Sequence, residues 1–326
     1  MHRRHRPRSG RRSGALAATA VVLALAACSP APPTNYGQEP RGSQSTQAPQ
    51  WFGGYLDVTL SPGVRLQDTA PQGAATTVLS FITAHPKNPC QPSWDGVNTL
   101  DQAAARLSVD SQIRSFRAAG NDIAVSFGGQ LGTELAAACT DVDALVRAYS
   151  AVITRYGLDT VDFDIEGTGL KDQAATGRRA AAAAKLQAQR PSVNPLNVWL
   201  TLPVSLQGLT ADGEKSVTAM LDAGVELAGV NIMVMDFEPL APGQTMLAAA
   251  KSAAAATHRT LGALYKKAGK PLDEAAAWQL IGLTPMIGMN DVKGQVFTLA
   301  DAQGLNSFAV DRGIGRISMW SLNRDV

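Results

Sequence analysis

Three acidic residues at alternate positions are the group in this sequence best suited to chemistry. Asp162, Asp164 and Glu166 stand two residues apart in the segment DTVDFDIEGTG. Side chains alternate along a β-strand, so all three point to one face, with Cα atoms about 6.5 Å apart along the row. Crowded carboxyl groups cannot all ionise freely, which predicts a shared proton and a Glu166 that stays protonated near neutral pH. Such a group can serve as a general acid.

The residues around this row predict its orientation. Gly167 and Gly169 end the strand, so Glu166 lies outermost and Asp162 deepest. The opposite face of the strand, directed at helices, carries Val161, Phe163 and Ile165. The alternative is an acidic strand end that binds Ca²⁺ or caps helices. Calcium sites usually take varied oxygen ligands from loops rather than one alternating strand row, so no metal is expected here.

Eight short apolar runs predict the strands of the fold. They are Phe52–Thr59, Thr77–Thr83, Asp122–Phe127, Thr160–Ile165, Asn197–Leu202, Gly229–Met235, Gln279–Thr284 and Gly315–Trp320. Helical stretches lie between them, including Asp172–Gln189, Met246–Ala268 and a run that starts at Thr140-Asp141 and stops at Gly157. Regular strand–helix alternation predicts an α/β fold with a parallel sheet, and eight units favour a single-domain (β/α)8 TIM barrel. Active sites of such barrels lie at the C-terminal mouth of the strands, where Glu166 is expected.

The ends of the chain carry separate signals. Residues 1–27 combine six arginines with the apolar run Ala15–Ala27, which is too short to span a bilayer and indicates a secretory signal peptide. Cys28 then stands where a bacterial lipoprotein carries its lipid; the alternative is an ordinary signal peptide with a chance cysteine. Residues 28–50 are rich in Pro, Gln, Ser and Thr and predict a flexible tether. We therefore expect a protein at the outer face of the cytoplasmic membrane or outside the cell, with lipid as its one membrane contact.

The barrel is predicted over residues 51–326, and its last strand near Trp320 leaves no room for an eighth helix. Either the barrel closes without that helix or the sequence is truncated. Cys90 and Cys139 remain as a pair that can form a disulfide in an oxidising compartment, the alternative being two buried thiols. Without the arginine-rich leader, 23 basic residues face 27 acidic ones, a net charge of −4, so nucleic acid is not an expected partner. We expect a monomer.

Four motifs resemble those of glycoside hydrolase family 18, which contains chitinases and endo-β-N-acetylglucosaminidases. Asp159 to Glu166 resembles its DxxDxDxE signature, and Ser126 to Gly129 its SxGG motif. Met233 to Asp236 stands where the family has MxxD. Trp320 resembles the tryptophan of the eighth strand that floors the sugar site. These motifs span nearly the whole predicted domain.

The resemblance implies a role for each of these residues in substrate-assisted, retaining hydrolysis. Glu166 protonates the leaving oxygen, and the substrate's own acetamido carbonyl attacks the anomeric carbon. Asp164 stabilises the resulting oxazolinium ring, while Asp162 holds Asp164 and trades a proton with it. Asp236 binds near the acetamido group or the acid, and Trp320 stacks under the sugar. No metal, cofactor or second carboxylate nucleophile is implied.

Three positions depart from the family pattern. Thr160 stands where the family often has Gly, and Ile165 where it often has Trp. Met235 replaces a tyrosine whose hydroxyl holds the acetamido oxygen, and a methionine cannot donate a hydrogen bond. A branch of the family shares this MxMD form, so activity is expected with the contact supplied from elsewhere, Tyr55 being one candidate.

Further residues are candidates for the pocket. Ser126, Gly128 and Met235 are expected to bind substrate. Asp57 and Asn231 either line the inner face of the barrel or form a polar network, and Trp94 and Trp199 either stack on sugar or pack. The loop of the seventh strand is expected to shape the pocket through Thr284 to Met286 and to reach sugar hydroxyls through Asn290 and Asp291.

The first functional hypothesis is hydrolysis of β-1,4-linked N-acetylglucosamine chains, as in chitin and chitooligosaccharides. The second is a catalytically silent sugar-binding protein, and the third is an endoglycosidase acting on N-glycan cores or cell-wall glycan. Silent relatives characteristically lose the glutamate, so Glu166 favours an enzyme. With five Trp, five Tyr and no visible chitin-binding module, soluble oligosaccharides are preferred to crystalline chitin.

Overall fold

A computed structural model describes residues 51–60, 63–69 and 76–324. The predicted signal peptide, Cys28 and the tether lie outside the described residues. Eight parallel strands form a closed barrel: β1 (Trp51–Asp57), β2 (Thr76–His85), β3 (Asp122–Gly128), β4 (Thr160–Asp164), β5 (Asn197–Ser205), β6 (Leu227–Met233), β7 (Ile281–Thr284) and β8 (Arg316–Ile317). Closure comes from β1, which pairs with both β2 and β8. The predicted TIM barrel is confirmed, and every strand overlaps its predicted run.

Ten helices occur within the described part of the chain. They are α1 (Leu100–Arg106), α2 (Val109–Ala118), α3 (Leu135–Ala138), α4 (Val142–Tyr156), α5 (Gly167–Lys171), α6 (Gln173–Ala188), α7 (Ala211–Asp222), α8 (Met246–Lys267), α9 (Glu274–Gln279) and α10 (Leu299–Arg312). Leu66–Thr69 and Leu322–Arg324 add single 3-10 turns. None of these helices is long and apolar enough to cross a membrane.

Helix boundaries follow the capping signals in the sequence. The Asp141 side chain accepts from the backbone N–H of Ala144 at the start of α4, and Gly157 ends that helix in the left-handed region at φ 57°. Asp172 and Thr245 cap α6 and α8 in the same manner. Satisfying the free N–H groups of the first turn is what fixes these starts. The predicted seventh strand began too early, because Gln279 closes α9.

Within the described residues, β8 is followed by the Leu322–Arg324 turn and no helix. The β1–β8 pairing nevertheless closes the barrel, with Trp51 opposite Arg316 and Phe52 opposite Ile317. Closure of the strands therefore does not require a helix after β8.

Short strands extend the mouth of the barrel. Asn88–Trp94 pairs antiparallel with β2 and with Asn98–Thr99, and Gly208–Leu209 pairs with β5. Gly288–Met289 and Val296–Phe297 form a hairpin after β7. The predicted Cys90–Cys139 disulfide is present and ties the Asn88–Trp94 strand to the end of α3.

Candidate active site

The three carboxyl groups of β4 lie at increasing height toward the barrel mouth. Asp162 is 0% exposed, Asp164 is 5% exposed and Glu166 is half-buried. The strand ends at Asp164, but the backbone stays extended at Glu166, so the alternation continues one step beyond the sheet. On the outer face, Phe163 packs against Phe127 and Tyr149. The order of depth is the one predicted from the sequence.

Asp162 is enclosed by four hydrogen-bond donors. Ser126 Oγ (2.7 Å) and Tyr55 Oη (2.9 Å) donate to Oδ2. Thr201 Oγ1 (2.7 Å) and the guanidinium of Arg316 (3.0 Å) donate to Oδ1. Arg316 is itself fully buried, so this is an ion pair without contact with water. A buried cation and three hydroxyl donors stabilise the ionised form, which makes Asp162 the carboxylate of the row.

Asp164 differs from Asp162 in having no such partners in the described part of the chain. Its Oδ1 atom is buried and has no hydrogen-bond partner among the described residues. Burial, followed by the negative charges of Glu166 and Asp162, raises the pKa of Asp164 well above its ordinary value. The proton predicted for the row is therefore held in its upper part. No hydrogen bond joins the described Asp162 and Asp164 side chains in this arrangement, and the exchange of a proton between them stays a prediction.

Glu166 is the acid nearest the open end of the row. Burial, followed by the charge of Asp236, raises the pKa of Glu166 to about 7. A carboxyl group with this pKa is protonated in a large fraction of molecules near neutral pH. Glu166 can therefore supply a proton at the mouth of the barrel, while Asp162 carries a negative charge at the base of the row.

The row opens into a pocket at the C-terminal ends of the strands. It is lined by Tyr55, Phe81, Gln130, Asp164, Glu166, Thr201, Met233, Met235, Asp236, Thr284, Met286, Asp291 and Trp320. Trp320 stacks on Phe81 at 5.4 Å between ring centroids, which gives one wall an extended aromatic surface. Three methionines supply apolar lining elsewhere. This mixture of apolar and polar lining residues suits a ring that has both apolar and polar faces.

Two residues predicted to bind substrate act beneath the pocket instead. Ser126 is fully buried and donates to Asp162, so it does not reach the lining. Gly128 lies against β4: an added Cβ would stand 2.1 Å from the carbonyl oxygen of Asp164. Its φ of 109° also excludes most side chains. Both residues therefore position the acidic row.

Tyr55 reaches the pocket floor with its ring but not with a free hydroxyl. Its Oη donates to Asp162 and accepts from Arg316 (3.0 Å) and Asn231 (3.2 Å). Asn231 also donates to Thr201 and accepts from Thr284. The single Tyr55 proton is committed, so Tyr55 does not supply the donor that Met235 lacks. The polar-network interpretation of Asn231 is the correct one.

Other candidates are placed outside the pocket. Trp94 is fully buried and donates to the Tyr156 hydroxyl, and Trp199 packs on Trp51. Both tryptophans are therefore packing residues and do not line the pocket. Asp57 accepts from the backbone and hydroxyl of Thr59 and does not line the pocket.

Sequence reasoning missed Arg316, Thr201 and Phe81. Arg316 had a signal: it stands four residues before Trp320 in the predicted eighth strand, so alternation places both on the inner face. Thr201 had the same signal, because alternation along β5 places its side chain on the inner face of the barrel. For Phe81 no signal separates a pocket wall from an ordinary core residue.

Comparison with known proteins identifies relatives over most of the chain, although no protein-family model matches it. A probable bifunctional chitinase/lysozyme of Escherichia coli K12 is 35% identical over 289 residues, covering 83% of this chain and 30% of that protein. Endochitinase 11 of Metarhizium anisopliae is 37% identical over 282 residues, covering 83% of this chain and 52% of that protein. The chain thus spans about half or less of the curated relatives it matches.

Among solved structures, the catalytic domain of a hyperthermophilic chitinase from Pyrococcus furiosus has a TM-score of 0.73 and 30% identity, covering 86% of this chain and 87% of that one. A family 18 chitinase from Chromobacterium violaceum shares the fold, with a TM-score of 0.58 and 17% identity over 85% of this chain and 79% of that one. The chain belongs to the family 18 chitinases of the glycoside hydrolases.

Proposed function

We propose that this protein hydrolyses β-1,4 linkages of N-acetylglucosamine oligosaccharides with retention of configuration and participation of the substrate's acetamido group. One arrangement carries the proposal: Glu166 lines the pocket two residues beyond the buried Asp164, where burial and the charge of Asp236 raise its pKa to about 7. The names of the relatives support the substrate class, and a Pyrococcus furiosus chitinase domain has been crystallised with chito-oligosaccharides.

The proposed first step moves one proton and balances one charge. Glu166 donates its proton to the glycosidic oxygen, the bond between that oxygen and the anomeric carbon breaks, and the acetamido carbonyl oxygen bonds to the anomeric carbon in its place. Asp164, which starts protonated, then hydrogen-bonds to the newly formed Glu166 carboxylate. The Asp164–Glu166 pair goes from neutral to one negative charge, and the oxazolinium ring carries one positive charge beside it.

In the second step a water molecule attacks the anomeric carbon and gives a proton to Glu166. The bond to the acetamido oxygen breaks, which restores the acetamido group and the original configuration. Asp162 stays ionised throughout because Arg316 and three hydroxyl groups hold its charge. Trp320 and Phe81 offer the apolar face on which a sugar ring stacks.

The test uses residues 51–326 and chitooligosaccharides with a fluorogenic leaving group. We expect release by the wild type, loss of release in Glu166→Gln, and inhibition by a thiazoline analogue of the oxazolinium. Sugar binding by both proteins without release would instead support the silent sugar-binding alternative. Release from N-glycan cores but not from chitooligosaccharides would support the endoglycosidase alternative.

We also propose that the chain is exported and held at the outer face of the cytoplasmic membrane by lipid on Cys28. The composition of residues 1–27 and the cysteine that follows support this proposal. Expression of the whole chain in a bacterial host should place it in the membrane fraction, and Cys28→Ser should release it. Equal membrane retention of both forms would contradict lipid anchoring.

A further inference from the structure

The loop after β7 contains two buried amide side chains in an otherwise open hairpin. Asn290 and Gln295 are 8% and 6% exposed, while Met289 and Val296 beside them face solvent. The loop is closed by hydrogen bonds from Asn290 N to Gln295 O and from Gln295 N to Val292 O. Burying a carboxamide is costly unless its groups are paired, so the partners of these two side chains identify what the hairpin serves.

Those partners lie on the segment that follows β6. Asn290 Oδ1 accepts from the backbone N–H of Asp236 at 3.1 Å. Gln295 accepts from the N–H of Phe237 at 3.1 Å and donates to its carbonyl oxygen at 2.7 Å. Asn290 also donates to the carbonyl oxygen of Met286 at 2.9 Å, which ties the loop to the residues just after β7. The sequence interpretation of Asn290 as a contact for sugar hydroxyls is therefore wrong.

The hairpin also holds the Asp236 side chain. Its Oδ1 accepts from the backbone N–H groups of Asp291 (2.7 Å) and Val292 (3.1 Å). Asp236 has a φ of 44°, in the left-handed region, which costs a residue with a Cβ about 1–2 kcal/mol. Five hydrogen bonds from one hairpin offset that cost and fix the carboxylate in the lining of the pocket that also contains Glu166.

We propose that the Met286–Phe297 hairpin is a positioning clamp, in which Asn290 and Gln295 act through Asp236 on the acid Glu166. This inference rests on the proposed function, since it assigns the clamp to the reaction catalysed at that site. Asn290 and Gln295 are positioning residues that do not touch substrate. They act by fixing the distance between the carboxyl groups of Asp236 and Glu166.

The consequence is a shift in pH dependence with a defined sign. Burial, and after it the charge of Asp236, raises the pKa of Glu166, and Glu166 must be protonated to act. Asp164 and Asp291 are the other acidic residues that line this pocket. If the clamp is released, Asp236 moves away, the pKa of Glu166 falls, and the alkaline limb of kcat/KM moves to lower pH. Loss of this like charge should move the limb by about one pH unit. The rate should consequently fall more at pH 8 than at pH 5.

The experiment compares Asn290→Ala and Gln295→Ala with the wild type, and uses Val296→Ala, at an exposed position of the same hairpin, as control. Gln295→Met fills the same space without hydrogen bonds and serves if the alanine variants fail to fold. We expect the alkaline limb to move in the clamp variants and to stay in Val296→Ala. In an Asp236→Asn background, clamp substitutions should produce no additional shift.

Two results are distinguishable. If the wild type is active and folded clamp variants lose rate equally at every pH, the hairpin is merely structural and the inference is overturned. If the wild type itself releases no product at any pH, the proposed function fails instead.

Discussion

Replacing Arg316 by methionine tests whether Asp162 is the ionised member of the acidic row. The guanidinium and the Asp162 carboxylate lie 3.0 Å apart, and both side chains are fully buried. Removing one partner of such a pair leaves an uncompensated charge, which costs roughly 3–5 kcal/mol. A domain of this kind has roughly 5–15 kcal/mol of stability, so Arg316→Met should fold with a small margin. Adding Asp162→Asn removes the stranded charge and should recover about 2 kcal/mol.

The assay is equilibrium unfolding in urea at pH 7, with the free energy of unfolding taken from each transition. Arg155→Met is the matched control, because Arg155 pairs with Asp101 and Asp110 at the surface. That substitution should cost about 1 kcal/mol or less. Asp162 is not the ionised member of the row if Arg316→Met lowers the free energy of unfolding no more than the control does, or if the double variant is no more stable than Arg316→Met alone.

Three further predictions follow from the same structure. Folding raises the pKa of Glu166 from 4.5 to about 7, so between these pH values the group is ionised in the unfolded chain and still protonated in the folded one. The folded state therefore loses stability as the pH rises from about 4.5 to about 7. The free energy of unfolding of Glu166→Gln in urea should therefore equal that of the wild type at pH 4 and exceed it by on the order of 3 kcal/mol at pH 8. Equal stability of the two proteins at both pH values would contradict this. Removing the disulfide with Cys90→Ser and Cys139→Ser, which are 49 residues apart, should lower the free energy of unfolding by about 4 kcal/mol, as should reduction of the wild type. Gly128→Ala should lower kcat more than about tenfold because its Cβ collides with the backbone of β4, whereas Gly177→Ala, in open space on α6, should leave kcat unchanged.

The parts of this molecule that were predicted from sequence are those governed by local periodicity. A strand has a side-chain period of two, so the alternation through Asp162, Asp164 and Glu166 determines a common face without knowledge of the neighbours. Capping chemistry is equally local, which is why Asp141 and Gly157 bound α4 as expected. Strand–helix alternation then limits the fold to few architectures.

The parts that were missed depend on contacts across the barrel. Arg316 and Asp162 are 154 positions apart in sequence, and nothing local to either specifies that they meet. Asn290 and Gln295 have the residue types of any polar loop, and only their burial against the segment after β6 reveals the clamp. Ser126 was assigned to substrate because its motif predicts proximity to the site, whereas the tilt of the strands decides its depth.

The proton of the acidic row is placed by differences in environment rather than by the residue types. Asp162 and Asp164 are both aspartates on one face of one strand, yet four donors surround the first and Oδ1 of the second has no partner among the described residues. A fixed negative charge at the base of the row disfavours a second charge directly above it, so the titratable proton is displaced toward Asp164 and Glu166. Substitution of a residue that contacts Asp162 should thus alter the protonation of Glu166 without contacting Glu166, because it changes the charge at the base of the row.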